Sequence, residues 1–78
     1  MALLEIAQRV DARGLSCPLP IVRTAQAIKT VTSGQLLEVI ATDPGSVKDF
    51  AAWSKATGNA LVETSSEAGV YRFVICRK

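Results

Sequence analysis

Cys17-Pro18-Leu19-Pro20 heads a segment whose apolar residues, Ile21, Val22, Ala25, Ile28 and Val31, recur at helical spacing. Arg23, Gln26 and Thr30 fall on the opposite face. Proline is tolerated in a first helical turn because the N–H it lacks would have no partner there. The pattern therefore predicts a helix over residues 18–31, with Pro18 as its first residue and Cys17 as its cap, stopped at Ser33-Gly34. A sulfur at a cap faces free amides and the positive end of the helix dipole, a setting that lowers a thiol's pKa. Cysteine is not a favoured cap residue, so structure alone does not ask for sulfur here. Pro18 and Pro20 remove two amides from that turn and stiffen it, leaving Leu19 and then Ile21 to donate.

Working outward, residues 6–12 alternate in part and end at Arg13-Gly14, which predicts a strand followed by a turn that Gly14 supplies. Residues 35–42 read as a second strand, with Leu37, Val39 and Ala41 on one face and Leu36, Glu38 and Ile40 on the other. Asp43-Pro44 reads as plain capping of a second helix that runs to about Thr57, with Val47, Phe50, Ala51 and Ser54 on its inner stripe and Trp53 at the core's edge. Residues 60–64 form a third strand, 65–69 a turn-rich link, and 70–77 a fourth strand with Tyr71, Phe73 and Ile75 on one face. The expected architecture is α+β: a βαβαββ two-layer sandwich, a four-stranded mixed sheet with both helices on one face. Residues 1–78 are expected to make a single domain.

The 78 residues include nine basic and seven acidic ones, for a net charge of +2, and the basic residues are scattered. No concentrated basic patch points to nucleic acid. No apolar run approaches the ~18 residues of a membrane span, and the first residues lack the basic and small-residue marks of a secretory signal. A cytoplasmic monomer is expected. With two distant cysteines and no histidine, the chain has no CxxC pair, no Cys-His dyad and no imidazole metal ligand. No metal is expected.

Arg13 and Arg23 flank Cys17 in sequence and are candidates to hold an anionic sulfur or meet an acidic partner. Asp11 is placed to anchor the turn before the cysteine. Lys48 and Asp49, in the first turns of the second helix, are candidates for a docking surface. Cys76 shares parity with Arg72, which puts it on the uncovered sheet face as an incidental thiol.

The stretch Asp11-Ala12-Arg13-Gly14-Leu15-Ser16-Cys17-Pro18-Leu19-Pro20, then Ala41-Thr42-Asp43-Pro44-Gly45-Ser46 and the closing Tyr71-Arg72-Phe73, closely resembles the TusA family of small sulfur carriers, also called SirA-like. The resemblance covers nearly the whole chain in the same order of elements. It implies a cytoplasmic sulfurtransferase that holds sulfane sulfur as a persulfide on Cys17, with no other cofactor. It further implies a cysteine desulfurase or rhodanese-like donor. The implied acceptor is a relay protein serving tRNA thiolation, molybdenum-cofactor metabolism or sulfur oxidation. Cys76 is outside the family pattern, and Arg13 stands at a variable position. The alternative is a non-catalytic regulatory module that docks a partner through the start of its first helix.

Overall fold

A computed structural model describes residues 5–78; Met1 to Leu4 of the expected domain lie outside the described residues. The chain runs β1 (Ile6–Ala12), α1 (Leu19–Ala27) with a 3₁₀ turn over Ile28–Thr30, β2 (Leu36–Ala41), α2 (Ser46–Thr57), β3 (Ala60–Glu67) and β4 (Val70–Cys76). The sheet order is β1-β2-β4-β3, with β1 parallel to β2 and the other neighbours antiparallel. This is the expected mixed sheet with two helices.

Alternation fixes which face is covered. Leu37, Val39 and Ala41 of β2, and Phe73 and Ile75 of β4, are fully buried under the helices. Phe50 of α2 stacks on Phe73 at a centroid distance of 4.4 Å and meets Trp53 edge-on at 6.4 Å. That aromatic contact ties α2 to the sheet. The opposite face carries a run of charges across all four strands. Arg9 pairs with Glu38 at 3.1 Å, Glu38 with Arg72 at 2.6 Å, and Arg72 with Glu63 at 2.7 Å. A charged ladder of this kind discourages a second sheet from stacking there.

The helix stripes differ from the expected ones. In α1 the buried residues are Pro20 and Thr24, continued by Ile28 and Val31, whereas Val22 is exposed. Thr24 can be buried because its hydroxyl donates to the Pro20 carbonyl at 2.8 Å. In α2 Ser46 and Phe50 face inward, and Val47 and Ala51 face out. The anticipated link over residues 65–69 is mostly strand: β3 continues to Glu67 because an edge strand with one partner accepts polar residues. Ala68 and Gly69, at φ 51° and 81°, close the hairpin in two residues.

The parallel pairing of β1 and β2 positions everything that follows. Ala12 lies beside Ala41 at their C-terminal ends, so the loops leading into α1 and α2 emerge together.

Candidate functional site

The first of these loops is built from two turns. Leu15 N–H reaches the Ala12 carbonyl at 3.3 Å, with Gly14 at φ 79°, a value that favours glycine. Leu19 N–H then donates to the Ser16 carbonyl at 2.9 Å, which puts Cys17 and Pro18 at the corners of the second turn. The Cys17–Pro18 peptide bond is cis. The first helical hydrogen bond runs from Val22 N–H to the Pro18 carbonyl at 3.0 Å, so Pro18 is the cap and Leu19 the first helical residue. The expected assignment of Cys17 as cap and Pro18 as first residue is one position too early. Pro18 closes the Ser16–Leu19 turn with a non-helical backbone, φ −97° and ψ 14°, so the helix starts one residue later, with Pro20 in its first turn.

The second loop holds the first. Thr42 Oγ1 accepts the Gly14 N–H at 2.9 Å, and Asp43 Oδ2 accepts the Cys17 N–H at 2.8 Å. The other oxygen of Asp43 accepts the Gly45 N–H at 3.2 Å, and its carbonyl takes the Ser46 N–H at 3.0 Å. Asp43 is therefore a brace for the thiol loop and not the cap of α2, which is Gly45. In the sequence Asp43 reads as a cap, and nothing local marks Thr42. The available signal was topological: strands paired in parallel bring their following loops together.

Cys17 is a free, exposed thiol. Its pKa is raised above the ordinary value, first by hydrogen bonding to the Asp49 carboxylate, then by partial loss of water, then by the charges of Asp49 and Asp43. This reverses the expected lowering. Most amides of the turn are engaged or missing: Leu19 N–H is spent on Ser16, Pro18 and Pro20 have none, and Cys17's own N–H is spent on Asp43. Carboxylates, not helix amides, set the field at the sulfur.

Arg13 does not face the thiol. It grips Asp11 through Nε at 3.0 Å and Nη2 at 2.9 Å, and its backbone N–H also donates to that carboxylate at 3.1 Å. The guanidinium of Arg13, and secondly its N–H, lower the Asp11 pKa to about 2. Arg23 lines a shallow groove of about 370 Å³ with Arg9, Val10 and Asp11, away from the sulfur. Lys48 is exposed in the first turn of α2. Around the thiol the two helix starts expose apolar side chains instead, Leu19 at 45%, Val22 at 42% and Val47 at 41%.

Cys76 pairs with Leu36 and Ala60, at the end of β2 remote from Asp43. A strand of this length separates the two cysteines by roughly 17 Å, beyond the reach of a disulfide. Among the described residues no group of acidic or sulfur side chains is arranged to hold a metal ion. No described helix is long and apolar enough to cross a membrane.

Residues 8–77 match the family model described as Sulfurtransferase TusA. The chain is 52% identical over 73 residues to the sulfur carrier protein TusA of Allochromatium vinosum, covering 94% of this chain and 96% of that one. YrkI of Bacillus subtilis is 50% identical over 66 residues, or 85% of this chain and 88% of its own length. The fold is that of the crystallised SirA-like protein of Desulfitobacterium hafniense. The two share a TM-score of 0.77 at 22% identity, over 88% of this chain and 95% of that one.

Proposed function

The chain belongs to the TusA sulfurtransferase family of sulfur carriers, and from that premise we propose that Cys17 is the atom-bearing site, holding one sulfane sulfur as a persulfide. What supports this is the placement of Cys17: exposed, at the corner of a turn braced by Asp43, and flanked by apolar side chains that a partner can cover. Gly14, Pro18, Leu19 and Pro20 shape that corner.

Two exchanges make up the cycle. In the first, Cys17 loses its proton to solvent and the thiolate attacks the outer sulfur of a donor persulfide. A new S–S bond forms, the donor's S–S bond breaks, and its electron pair leaves on the donor cysteine as thiolate. In the second, an acceptor thiolate attacks the outer sulfur now on Cys17, and Cys17 departs as thiolate and recovers a proton. Sulfur changes hands with no net oxidation, so no oxidant, metal or organic cofactor enters either step. The donor is a cysteine desulfurase or rhodanese-like protein, and the acceptor is a relay protein of a thiolation, cofactor or sulfur-oxidation pathway. Work as a monomer in the cytoplasm goes with this reading, since that compartment keeps cysteines reduced, and both here are free.

The test is intact mass after incubation with a persulfide donor. Wild type and Cys76→Ala gain one sulfur atom, and Cys17→Ala gains none. Equal labelling of Cys17→Ala would overturn the assignment.

A further inference from the structure

We propose that Asp43 and Asp49 make Cys17 select its exchange partner by charge, so that donor and acceptor cysteines must arrive flanked by lysine or arginine. The inference rests on the carrier reading above and adds what the partner's surface must carry.

The argument begins with charges that the chain leaves open. Among the described residues neither Asp43 nor Asp49 enters a salt bridge, although four such contacts form elsewhere. Asp43 cannot swing away, because its two oxygens are held by the amides of Cys17 and Gly45 at 2.8 and 3.2 Å. Asp49 follows one helical turn on, its N–H donating at 3.1 Å to the carbonyl of Gly45, the residue that Asp43 also holds, so both carboxylates stand at the start of α2 next to the thiol loop. The cations that could neutralise the pair are engaged or turned elsewhere. Arg13 is held by Asp11 at 2.9 Å, and Arg23 lines the groove beside β1. Lys48 precedes Asp49, but consecutive helical residues diverge by about 100° around the axis. The charged groups acting on the sulfur are accordingly both negative.

A negative field opposes formation of the thiolate, the species both exchanges require. A cation brought in by the partner reverses that opposition at the moment of contact. It also stabilises Cys17 when it leaves as thiolate in the second exchange. An anionic partner is repelled and leaves the thiol protonated. The empty carrier is thus quiet in solution and reactive only against a basic surface. The exposed Leu19, Val22 and Val47 supply sequence-tolerant contact around this charge test.

Three symmetrical disulfides of different charge read the selection directly: cystamine (cationic), bis(2-hydroxyethyl) disulfide (neutral) and dithiodiglycolate (anionic). In each, the Cys17 thiolate attacks one sulfur, the S–S bond breaks, and the departing thiolate carries off the electron pair. Rates at Cys17, located by peptide mass, are divided by those of a neutral free thiol. The normalised cationic-to-anionic ratio is expected at about tenfold or more in low salt. It should shrink as salt shortens the Debye length to ~10 Å and below. In Asp43→Asn/Asp49→Asn, which keeps oxygen acceptors at both positions, the ratio should fall toward one. A wild-type ratio near one, a ratio indifferent to salt, or a ratio kept by the double variant overturns the proposal. Should the double variant not fold, the salt series on wild type decides alone. None of these outcomes depends on persulfide loading, so failure of the carrier reading shows separately in the mass experiment.

Discussion

The carboxylate of Asp43 accepts the backbone N–H of Cys17 at 2.8 Å, across 26 positions of sequence. Together with the Thr42–Gly14 bond at 2.9 Å it stitches the loop after β2 to the loop that presents the thiol. Asp43→Ala breaks one stitch and leaves two amides without their acceptor. The expected loss is about 1.5 kcal/mol, at the low end for a bond to a charged acceptor because the site is open to water. Asp43→Asn, which can still accept, should lose less than half of that. Urea denaturation of the two variants beside wild type measures the difference.

Asp49 dominates the rise in the Cys17 pKa. Following thiolate absorbance or alkylation rate against pH should give a midpoint above that of a free cysteine. Asp49→Asn should move the midpoint down further than Asp43→Asn does. The sign for stability follows from the same shift. The folded state holds the thiol proton more tightly than the unfolded chain, so this contribution is complete below the unfolded pKa. It is lost as pH rises through the folded one. Cys17→Ser should flatten that alkaline decline.

Arg13 and Asp11 make the opposite case. Asp11, held at about 2 by the guanidinium and then the N–H of Arg13, is depressed in the folded state. Its contribution is present above the ordinary carboxylate range and lost as pH falls through about 2. In Arg13→Ala the side-chain partner goes while the backbone donor stays, so the Asp11 pKa should return only part of the way. A carboxyl titration by NMR resolves this. The Cys17 titration should be unmoved, because Arg13 does not act on the sulfur.

Which parts of this were legible in advance follows from how local the signals are. β1 and β2 announce themselves by alternation, and Leu37, Val39, Ala41, Phe73 and Ile75 occupy the inner face that their parity assigns. Hydropathy alone gives no inward place to Thr24, a residue that satisfies its own hydroxyl within the helix. The same bias promotes Val22 and Val47, which are exposed in the first turns of α1 and α2. The field at Cys17 was not legible, because its sources are non-local. Asp43 and Asp49 reach the sulfur only through the pairing of β1 with β2, while Arg13 and Arg23, near in sequence, are turned elsewhere.

Ser46 is buried at the start of α2, and its hydroxyl has no hydrogen-bond partner among the described residues. An unpartnered buried hydroxyl costs stability that alanine does not. Ser46→Ala should raise the urea midpoint, with a gain of roughly 1 kcal/mol. Persulfide loading on Cys17 should be unchanged, since the Ser46 contact to Asp43 is made by the backbone N–H.

Ala68 stands at φ 51°, in the region that L-residues with a Cβ avoid, and Gly69 follows at 81°. The two-residue turn between β3 and β4 needs that geometry at both positions, and Asn-Gly meets it better than Ala-Gly. Asparagine tolerates the left-handed region because its short side chain bonds locally. Ala68→Asn should therefore stabilise the chain by roughly 0.5–1 kcal/mol, and Ala68→Val should destabilise it, since a branched Cβ is worse placed there. Thermal or urea unfolding of the pair separates backbone geometry from a general tolerance of the hairpin tip. If both variants match wild type, the turn does not hold this conformation in solution. The hairpin pairs Glu67 with Val70 directly across the turn, so a gain at Ala68 should also slow amide exchange along β3, an edge strand whose one partner in the sheet is β4.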